Sequence, residues 1–313
     1  MYIGIDLGGT NTAAALVDDE GKITERVSIP TDIRGGATGV INGLLAACGD
    51  LLCVTGEKPR SVGIGIPGTI NSETGEVVFT PNLPLAGVNI KNKIREKYDF
   101  PVYIGNDANC AALGESVAGG MKGARNAVLI TLGTGLGGGL ISNGRLHTGL
   151  SGAAGELGHM VIIAGGRKCG CGRSGCWETY SSATGLYRTA REFMEKHSDS
   201  RLWELCGGNP DRVDGRMVFG AFRDGDRAAC LIVERYIEHL AVGMVSVINI
   251  LDPDIFCIGG GISGAWDCLH DPLQATVNAE KCGFFSPSAP QTQIVKATLG
   301  NDAGIIGAAM LGR

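Results

Sequence analysis

The sequence predicts an α/β protein of two lobes made by duplication. Three observations predict it. The chain has 313 residues, long for a single hydrophobic core. Its first part reads strand-strand-strand-helix-strand-helix-strand. One theme also recurs: a strand, a Gly/Thr tip and a returning strand. It stands first at Ile5-Asp6-Leu7-Gly8-Gly9-Thr10 and again at Thr131-Leu132-Gly133-Thr134-Gly135. Both tips are expected to face one cleft.

The elements follow in order. Tyr2 to Leu7 is β-branched-rich and reads as a strand, Asn11 to Val17 as a second, and Ile23 to Ile29 as a third after the turn at Asp18-Asp19-Glu20-Gly21. Ala37 to Cys53 carries helical periodicity through Val40, Ile41, Leu44, Leu45, Leu51 and Leu52. Ser61 to Ile66 is a buried strand ended by Pro67-Gly68, followed by a polar hairpin from Thr69 to Phe79 and the loop Thr80-Pro81-Asn82-Leu83-Pro84. A short charged helix, Asn89 to Tyr98, leads to the strand Pro101 to Ile104. Gly105 then reads as a turn before a helix opening at Asn106-Asp107.

In the second half Ala127 to Thr131 is a strand. The chain returns through Leu140 to Ser142, with a hairpin at Asn143-Gly144. Gly185 to His197, Val213 to Arg223 and the long amphipathic stretch Asp226 to Leu251 read as helices. A further strand, Asp254 to Ile258, ends in Gly259-Gly260-Gly261. A helix from Pro272 to Ala279, a strand from Thr292 to Ala297 and a last apolar helix from Asp302 to Leu311 close the chain. That last helix is expected to cross back to the first lobe. The lobe boundaries predicted are 1–118 plus 300–313 for the smaller lobe and 119–299 for the larger.

Composition narrows the function. Hydrophobic residues make up 44% and charged residues 19%, an ordinary globular balance. The net charge is -5, and no basic run of the size used for DNA or RNA occurs, which disfavours a nucleic-acid partner. No secretory signal and no apolar stretch of membrane-spanning length are read, so no membrane partner is expected. Eleven cysteines without such a signal point to reduced thiols in the cytoplasm.

Two stretches carry chemistry. Asp107 stands where a strand ends and a helix begins, a rigid place from which a carboxylate can act as a general base. The competing reading is a plain helix N-cap, which Asp also favours. Each Gly/Thr tip offers backbone N–H groups and a hydroxyl to phosphate oxygens, and Asp6 just before the first could hold Mg²⁺ through water. The competing reading of the first tip is an ordinary glycine hairpin.

Cys169-Gly170-Cys171-Gly172-Arg173-Ser174-Gly175-Cys176 places three cysteines within eight residues. With His159 ten residues upstream they make a Cys₃His set suited to structural Zn²⁺, with a disulfide as the competing reading. A ligating His commonly uses its second ring nitrogen on another partner, which for His159 would be a substrate hydroxyl. The alternative is a purely structural His. Glu178 would be held by the same knuckle.

The ordered set Asp6-Leu7-Gly8-Gly9-Thr10, Pro67-Gly68, Pro81-Asn82-Leu83, Asn106-Asp107-Ala108-Asn109, Leu132-Gly133-Thr134-Gly135-Leu136-Gly137, Glu156-Leu157-Gly158-His159 and the Cys169/Cys171/Cys176 knuckle with Trp177-Glu178 resembles the ROK family of sugar kinases and repressors. Among its members the set most resembles the bacterial glucokinases, and the resemblance covers essentially the whole chain. It implies the duplicated actin-like (RNase H-like) ATPase fold, two α/β lobes around a cleft. It also implies ATP and Mg²⁺ as cofactors beside the structural Zn²⁺, and a glucose or related hexose as substrate. A homodimer or homotetramer is expected because the long helix Asp226 to Leu251 could serve as core or as interface.

By the same resemblance Asp107 would be the general base for the sugar 6-hydroxyl. Asn82, Asn106, Glu156, His159 and Glu178 would bind the other hydroxyls. Asp6 would help hold Mg²⁺. Gly8, Gly9, Thr10 and Asn11, with Gly133, Thr134 and Gly135, would hold the ATP phosphates, and Gly259, Gly260 and Gly261 would lie near the adenine. One departure stands out: many glucokinases of the family have Gly-Trp after Asn-Leu, and this chain has Pro84-Leu85. Kinases for N-acetylglucosamine, N-acetylmannosamine, fructose or allose therefore stay open beside glucokinase. A repressor is disfavoured because the chain opens on the first strand, and a non-catalytic sugar sensor because such a protein needs no base.

Overall fold

A computed structural model describes residues 1–280 and 291–313. Cys282, one of the scattered cysteines, lies outside the described residues. The first sheet is built from β1 (Tyr2–Leu7), β2 (Asn11–Val17), β3 (Ile23–Pro30), β4 (Val62–Ile66) and, after the small hairpin β5 (Thr69–Asn71) and β6 (Glu76–Phe79), β7 (Val102–Asn106). Its order is β3-β2-β1-β4-β7. β1 pairs antiparallel with β2 and parallel with β4, and β4 pairs parallel with β7. The second sheet takes β8 (Ala127–Leu132), β9 (Leu136–Ser142), β10 (Arg145–Leu146), β11 (Ile255–Gly259) and β12 (Gln293–Lys296), in the order β10-β9-β8-β11-β12. The two orders match position for position, so the repeat read from the two tips extends to whole sheets.

The helices are α1 (Gly36–Thr55), α2 (Ile90–Arg95), α3 (Asp107–Ala118), α4 (Glu178–Ser181), α5 (Ala183–Met194), α6 (Leu202–Leu205), α7 (Gly215–Arg223), α8 (Arg227–Leu251), α9 (Trp266–Glu280) and α10 (Asp302–Met310). The chain forms two compact units. One comprises Met1–Leu129, Gly138–Gly155 and Ala297–Arg313, the other Ile130–Gly137 and Glu156–Lys296.

Alternation along β1 sorts its side chains between two layers of the first unit. Ile3, Ile5 and Leu7 join Val40, Leu44, Ala47, Cys48 and Leu51 of α1 in one apolar cluster, while Tyr2 faces Ile305, Ile306, Ala309 and Met310 of α10. α10 lies unusually close to its neighbours because glycines leave room for backbone. A Cβ on Gly4 would sit 2.0 Å from the Ile305 carbonyl oxygen, one on Gly63 1.7 Å from that of Ala308, and one on Gly307 1.6 Å from that of Cys110. The last helix thus belongs to the first unit.

Glu115 of α3 fixes the approach to α10. Fully buried, it accepts N–H bonds from Gly120 at 2.7 Å, Thr298 at 3.1 Å and Leu299 at 2.9 Å. A buried carboxylate needs such a set of donors to offset its lost hydration.

Four expectations are corrected. Gly105 does not turn the chain: it pairs with Gly65 inside the β4/β7 ladder, and the strand runs on to Asn106. The returning strand begins at Leu136 rather than Leu140, so Gly137, Gly138 and Gly139 are strand residues. Gly139 is there for packing, since a Cβ would lie 2.5 Å from that of Ala112. α9 begins six residues before Pro272, which sits inside the helix; its ring fixes a helical φ, although it removes one N–H bond and crowds the carbonyl four residues back. Finally, α1 is a 20-residue helix long and apolar enough to cross a membrane by length and composition. Its apolar residues are instead the core against β1.

Candidate active site and metal centre

In the first unit the β7/α3 junction separates two roles that the sequence left together. Asn106 is the N-cap: its Oδ1 accepts the Asn109 N–H at 3.1 Å, and its Nδ2 donates to the Gly68 carbonyl at 3.0 Å. The cap reading of Asp107 is thereby met by its neighbour. Asp107 is the first helical residue, half-buried, with Oδ1 accepting the Ala108 N–H at 2.9 Å. Burial raises its pKa above the ordinary carboxylate value, against the lowering pull of the helix-end N–H groups and the Asn106 amide.

Asp6 lies at the end of β1, opposite Ala13 and Gly65. Burial first, and the charge of Asp107 second, push its pKa up to about 6. Under the two acids lies the fully buried Cys110, whose thiol is raised well above its ordinary value by burial and by both carboxylates. Gly65 and Gly105 give it space; a Cβ on either would stand 3.2 Å and 3.4 Å from Sγ. Two buried carboxylates with raised pKa values, one of them raised in part by the other's charge, form a site that gains from a bound divalent cation, so the donor chemistry suits Mg²⁺.

The first tip is pinned by Thr31. Its Oγ1 donates to the Gly8 carbonyl at 2.8 Å, and its N–H donates to the Thr10 carbonyl at 3.0 Å. Gly8 N–H closes on the Asn11 carbonyl at 3.0 Å, and Asn11 Nδ2 donates to Ser28 Oγ at 2.7 Å. Asn82 is exposed beside this tip, with its Cβ 3.6 Å from where a Gly9 Cβ would stand. Leu85, at the position of the departure from Gly-Trp, is fully buried in the α1 cluster.

In the second unit His159, Cys169, Cys171 and Cys176 place one ligand atom each within 4.8 Å of one another. Cys169 Sγ lies 3.6 Å from His159 Nδ1, and Cys171 Sγ 3.7 Å from Cys176 Sγ. Tetrahedral zinc with its usual bond lengths would space two sulfurs about 3.8 Å apart, and a sulfur and an imidazole nitrogen about 3.5 Å apart. The donor set therefore fits that ion. A disulfide would need sulfurs at about 2.05 Å; all ten described cysteines are free. Burial pushes the Cys176 thiol up to about 12, while the Arg173 N–H lowers exposed Cys171.

The knuckle closes through Cys169 N–H to the Arg173 carbonyl at 3.0 Å and Gly175 N–H to the Arg167 carbonyl at 2.8 Å. Gly175, at φ 82°, is required twice over: its Cβ would lie 1.7 Å from the Ile163 carbonyl oxygen. His159 Nε2 points away from the cysteines and lies 4.0 Å from Glu156 Oε2. Glu178 accepts the Leu136 N–H on Oε2 at 2.9 Å, and its Oε1 lies 3.9 Å from Cys169 Sγ. Trp177 between them is fully buried and donates to the His239 carbonyl at 3.0 Å. Gly260, at φ 82°, packs on the end of β8: a Cβ would lie 2.5 Å from the Leu132 amide nitrogen. The third glycine run, from Gly259 through Gly261, thus lies beside the second tip.

The model of the ROK family matches residues 2–313. This chain belongs to the ROK family. The glucokinase of Thermotoga maritima is 39% identical over 311 residues, 99% of this chain and 96% of that one. The N-acetyl-D-glucosamine kinase of Histophilus somni is 32% identical, with 99% of this chain and 98% of that one covered. A crystal structure of a ROK family glucokinase from Streptomyces griseus in complex with glucose and AMPPNP superposes with a TM-score of 0.80 at 34% identity, covering 99% and 98%. The fold of this ROK protein is the duplicated actin-like ATPase fold.

Each unit of this ROK chain brings its own set of expected residues together: Asp6, the first tip and Asp107 in one, and the knuckle, Glu178, the second tip and Gly260 in the other. Sequence reading passed over Thr31, Thr184 and Glu115. Thr31 follows Pro30 at a strand end, and Thr184 follows the N-cap Ser182, so both read as ordinary boundary residues. Glu115 reads as a solvent-facing helix residue, because its three donors come from a turn and from the far end of the chain.

Proposed function

We propose that this protein is an ATP-dependent glucokinase that phosphorylates the 6-hydroxyl of glucose, with Asp107 as general base. The observation that carries the reading is the division of labour at the β7/α3 junction. Asn106 takes the helix cap and leaves Asp107 out of that role, with a raised pKa. A weak alcohol nucleophile needs such a carboxylate to accept its proton as the bond to phosphorus forms.

The roles follow residue by residue. Asp107 accepts the proton of the 6-hydroxyl, and the bond from the γ-phosphorus to the bridging oxygen breaks, releasing ADP. Asn82 and Asn106 bind sugar hydroxyls; Asn106 Oδ1 retains one acceptor lone pair beyond its cap bond. Glu156 and His159 Nε2 bind further hydroxyls, with Glu178 on its Oε1. Gly8, Gly9, Thr10 and Asn11 and the Gly133-Thr134-Gly135 tip hold phosphate oxygens, and the run Gly259-Gly260-Gly261 flanks the adenine. Bound near Asp6, Mg²⁺ would supply neutralising charge to the phosphates. His159, Cys169, Cys171 and Cys176 would hold a structural Zn²⁺. A homodimer or homotetramer in the cytoplasm belongs to the same reading; light scattering tests the assembly.

A coupled ADP-release assay with Mg-ATP against glucose, mannose, fructose, allose, N-acetylglucosamine and N-acetylmannosamine tests the reading. Preference for glucose is expected, with Leu85 as a tolerated core variant. Preference for an N-acetyl sugar would keep the base and move the substrate. Turnover on none of them would overturn the reading.

A further inference from the structure

Besides the Gly133 N–H to Gly135 carbonyl bond within it, at 3.0 Å, the second Gly/Thr tip is held by three hydrogen bonds to the stretch directly after the cysteine knuckle. Leu136 N–H donates to Glu178 Oε2 at 2.9 Å, Thr184 Oγ1 donates to the Thr134 carbonyl at 2.8 Å, and Ala183 N–H donates to the Gly133 carbonyl at 2.8 Å. We infer that Glu178 and Thr184 are positioning residues for this tip, holding it in the conformation that receives nucleotide phosphates, and that Glu178 makes its order depend on the knuckle. The inference rests on the proposed reading of Gly133-Thr134 as a phosphate cradle.

Peptide geometry carries the argument. In a planar trans peptide the carbonyl and the next residue's N–H point in opposite directions. Anchoring the Gly133 carbonyl on Ala183 therefore aims the Thr134 N–H. Anchoring the Thr134 carbonyl on Thr184 aims the Gly135 N–H. Donors aimed before the ligand arrives need no reorganisation when it binds. Glycines in a tip otherwise leave such donors free to wander.

Glu178 completes the clamp and joins it to the knuckle. It stands two residues after Cys176, with one oxygen on the tip and the other 3.9 Å from Cys169 Sγ. Gly135 is bare to admit it, since a Cβ there would lie 2.4 Å from Glu178 Oε2. Gly133 differs: a Cβ on it meets nothing within 4 Å.

Calorimetric titration of the full chain with AMPPNP tests this. Thr184→Val removes the donor and keeps the shape; it should weaken AMPPNP binding about 5-fold, the worth of one hydrogen bond, with KM for glucose within about 2-fold of wild type. Thr184→Ser should restore affinity. Gly135→Ala should displace the Glu178 carboxylate and weaken AMPPNP binding as well. Chelator-treated, reduced protein should bind AMPPNP more weakly than untreated protein; equal affinity would overturn the link to the knuckle. Wild-type affinity in Thr184→Val and Gly135→Ala would overturn the clamp. Gly133→Asp separates the underlying reading: its charge should abolish AMPPNP binding at the cradle, and wild-type affinity in that variant would overturn the cradle and the inference together.

Discussion

The first Gly/Thr tip is held by its own meander, while the second is held by residues far along the chain. Thr31, at the end of the strand that returns beside β2, supplies two of the bonds that fix the first. The second has no comparable returning strand. β3 has eight residues and its counterpart β10 has two. Beyond the Gly133 N–H to Gly135 carbonyl bond within it, its bonds come from Glu178, Ala183 and Thr184, with Glu178 and Thr184 standing 42 and 50 residues beyond their partners. Duplication kept the sheet order and the tip and changed the support. Short-range support closes at little entropic cost, whereas long-range support depends on an element that must itself be ordered. Here that element is the knuckle.

Asp107→Asn tests the first unit with the largest expected effect. Turnover should fall roughly 10³-fold, the usual worth of a general base, with sugar affinity retained. Steady-state kinetics beside a sugar titration would read both, and unchanged turnover would remove Asp107 from the base role.

The second unit breaks differently. Freshly purified, reduced protein should carry one zinc per chain by metal analysis. Cys176→Ala should lose it, at a cost of several kcal/mol seen as a lower thermal midpoint. A wild-type chain without metal would refute the knuckle assignment and, with it, the contrast between a self-supported and a metal-supported tip.

Asp6 sharpens the comparison through pH, because the matching place before the second tip is the neutral Thr131. The folded pKa of Asp6 is about 6, raised from 3.8. Between those values the folded chain holds more protons than the unfolded chain, so this group's contribution to stability falls as pH rises from about 4 through about 6. In magnesium-free buffer Asp6→Asn should be more stable than wild type at pH 7.5 by on the order of 2 kcal/mol, with the gain gone near pH 4. Thermal melts across that range would show it; a pH-independent gain would sink the assignment.

Thr31→Val carries the smallest expected effect, about 5-fold weaker AMPPNP binding, the worth of one hydrogen bond. Chelation should leave the wild-type to Thr31→Val ratio unchanged, because Thr31 reaches only its own meander. A ratio that moves on chelation would show that the two tips are not separately supported.

Much of the fold could be read in advance because its signals are local. β1 and β2 are bounded by the residues that periodicity marks, Asp226 caps α8, and Asn143-Gly144 takes positive φ in the β9/β10 turn. The misread boundaries have a shared cause. Gly105 and the run from Gly137 to Gly139 look like loops, and they are strand because the ladder carries them; Gly139 stays bare because a Cβ would lie 2.5 Å from that of Ala112. Pro272 looks like a helix start and is interior because packing on both sides carries the helix past it.

The sequence alone determined the duplicated sheets, the two tips, the acid at the strand end and the spacing of three cysteines behind a histidine. Each is a pattern within a short stretch of chain. Only the tertiary structure decided which residue caps α3, why the pKa values of Asp6 and Asp107 are raised, and what holds each tip. Those outcomes turn on burial and on partners brought together from distant positions. Hydrogen-bond competition and desolvation have no signature in local sequence, because both are properties of the packed neighbourhood.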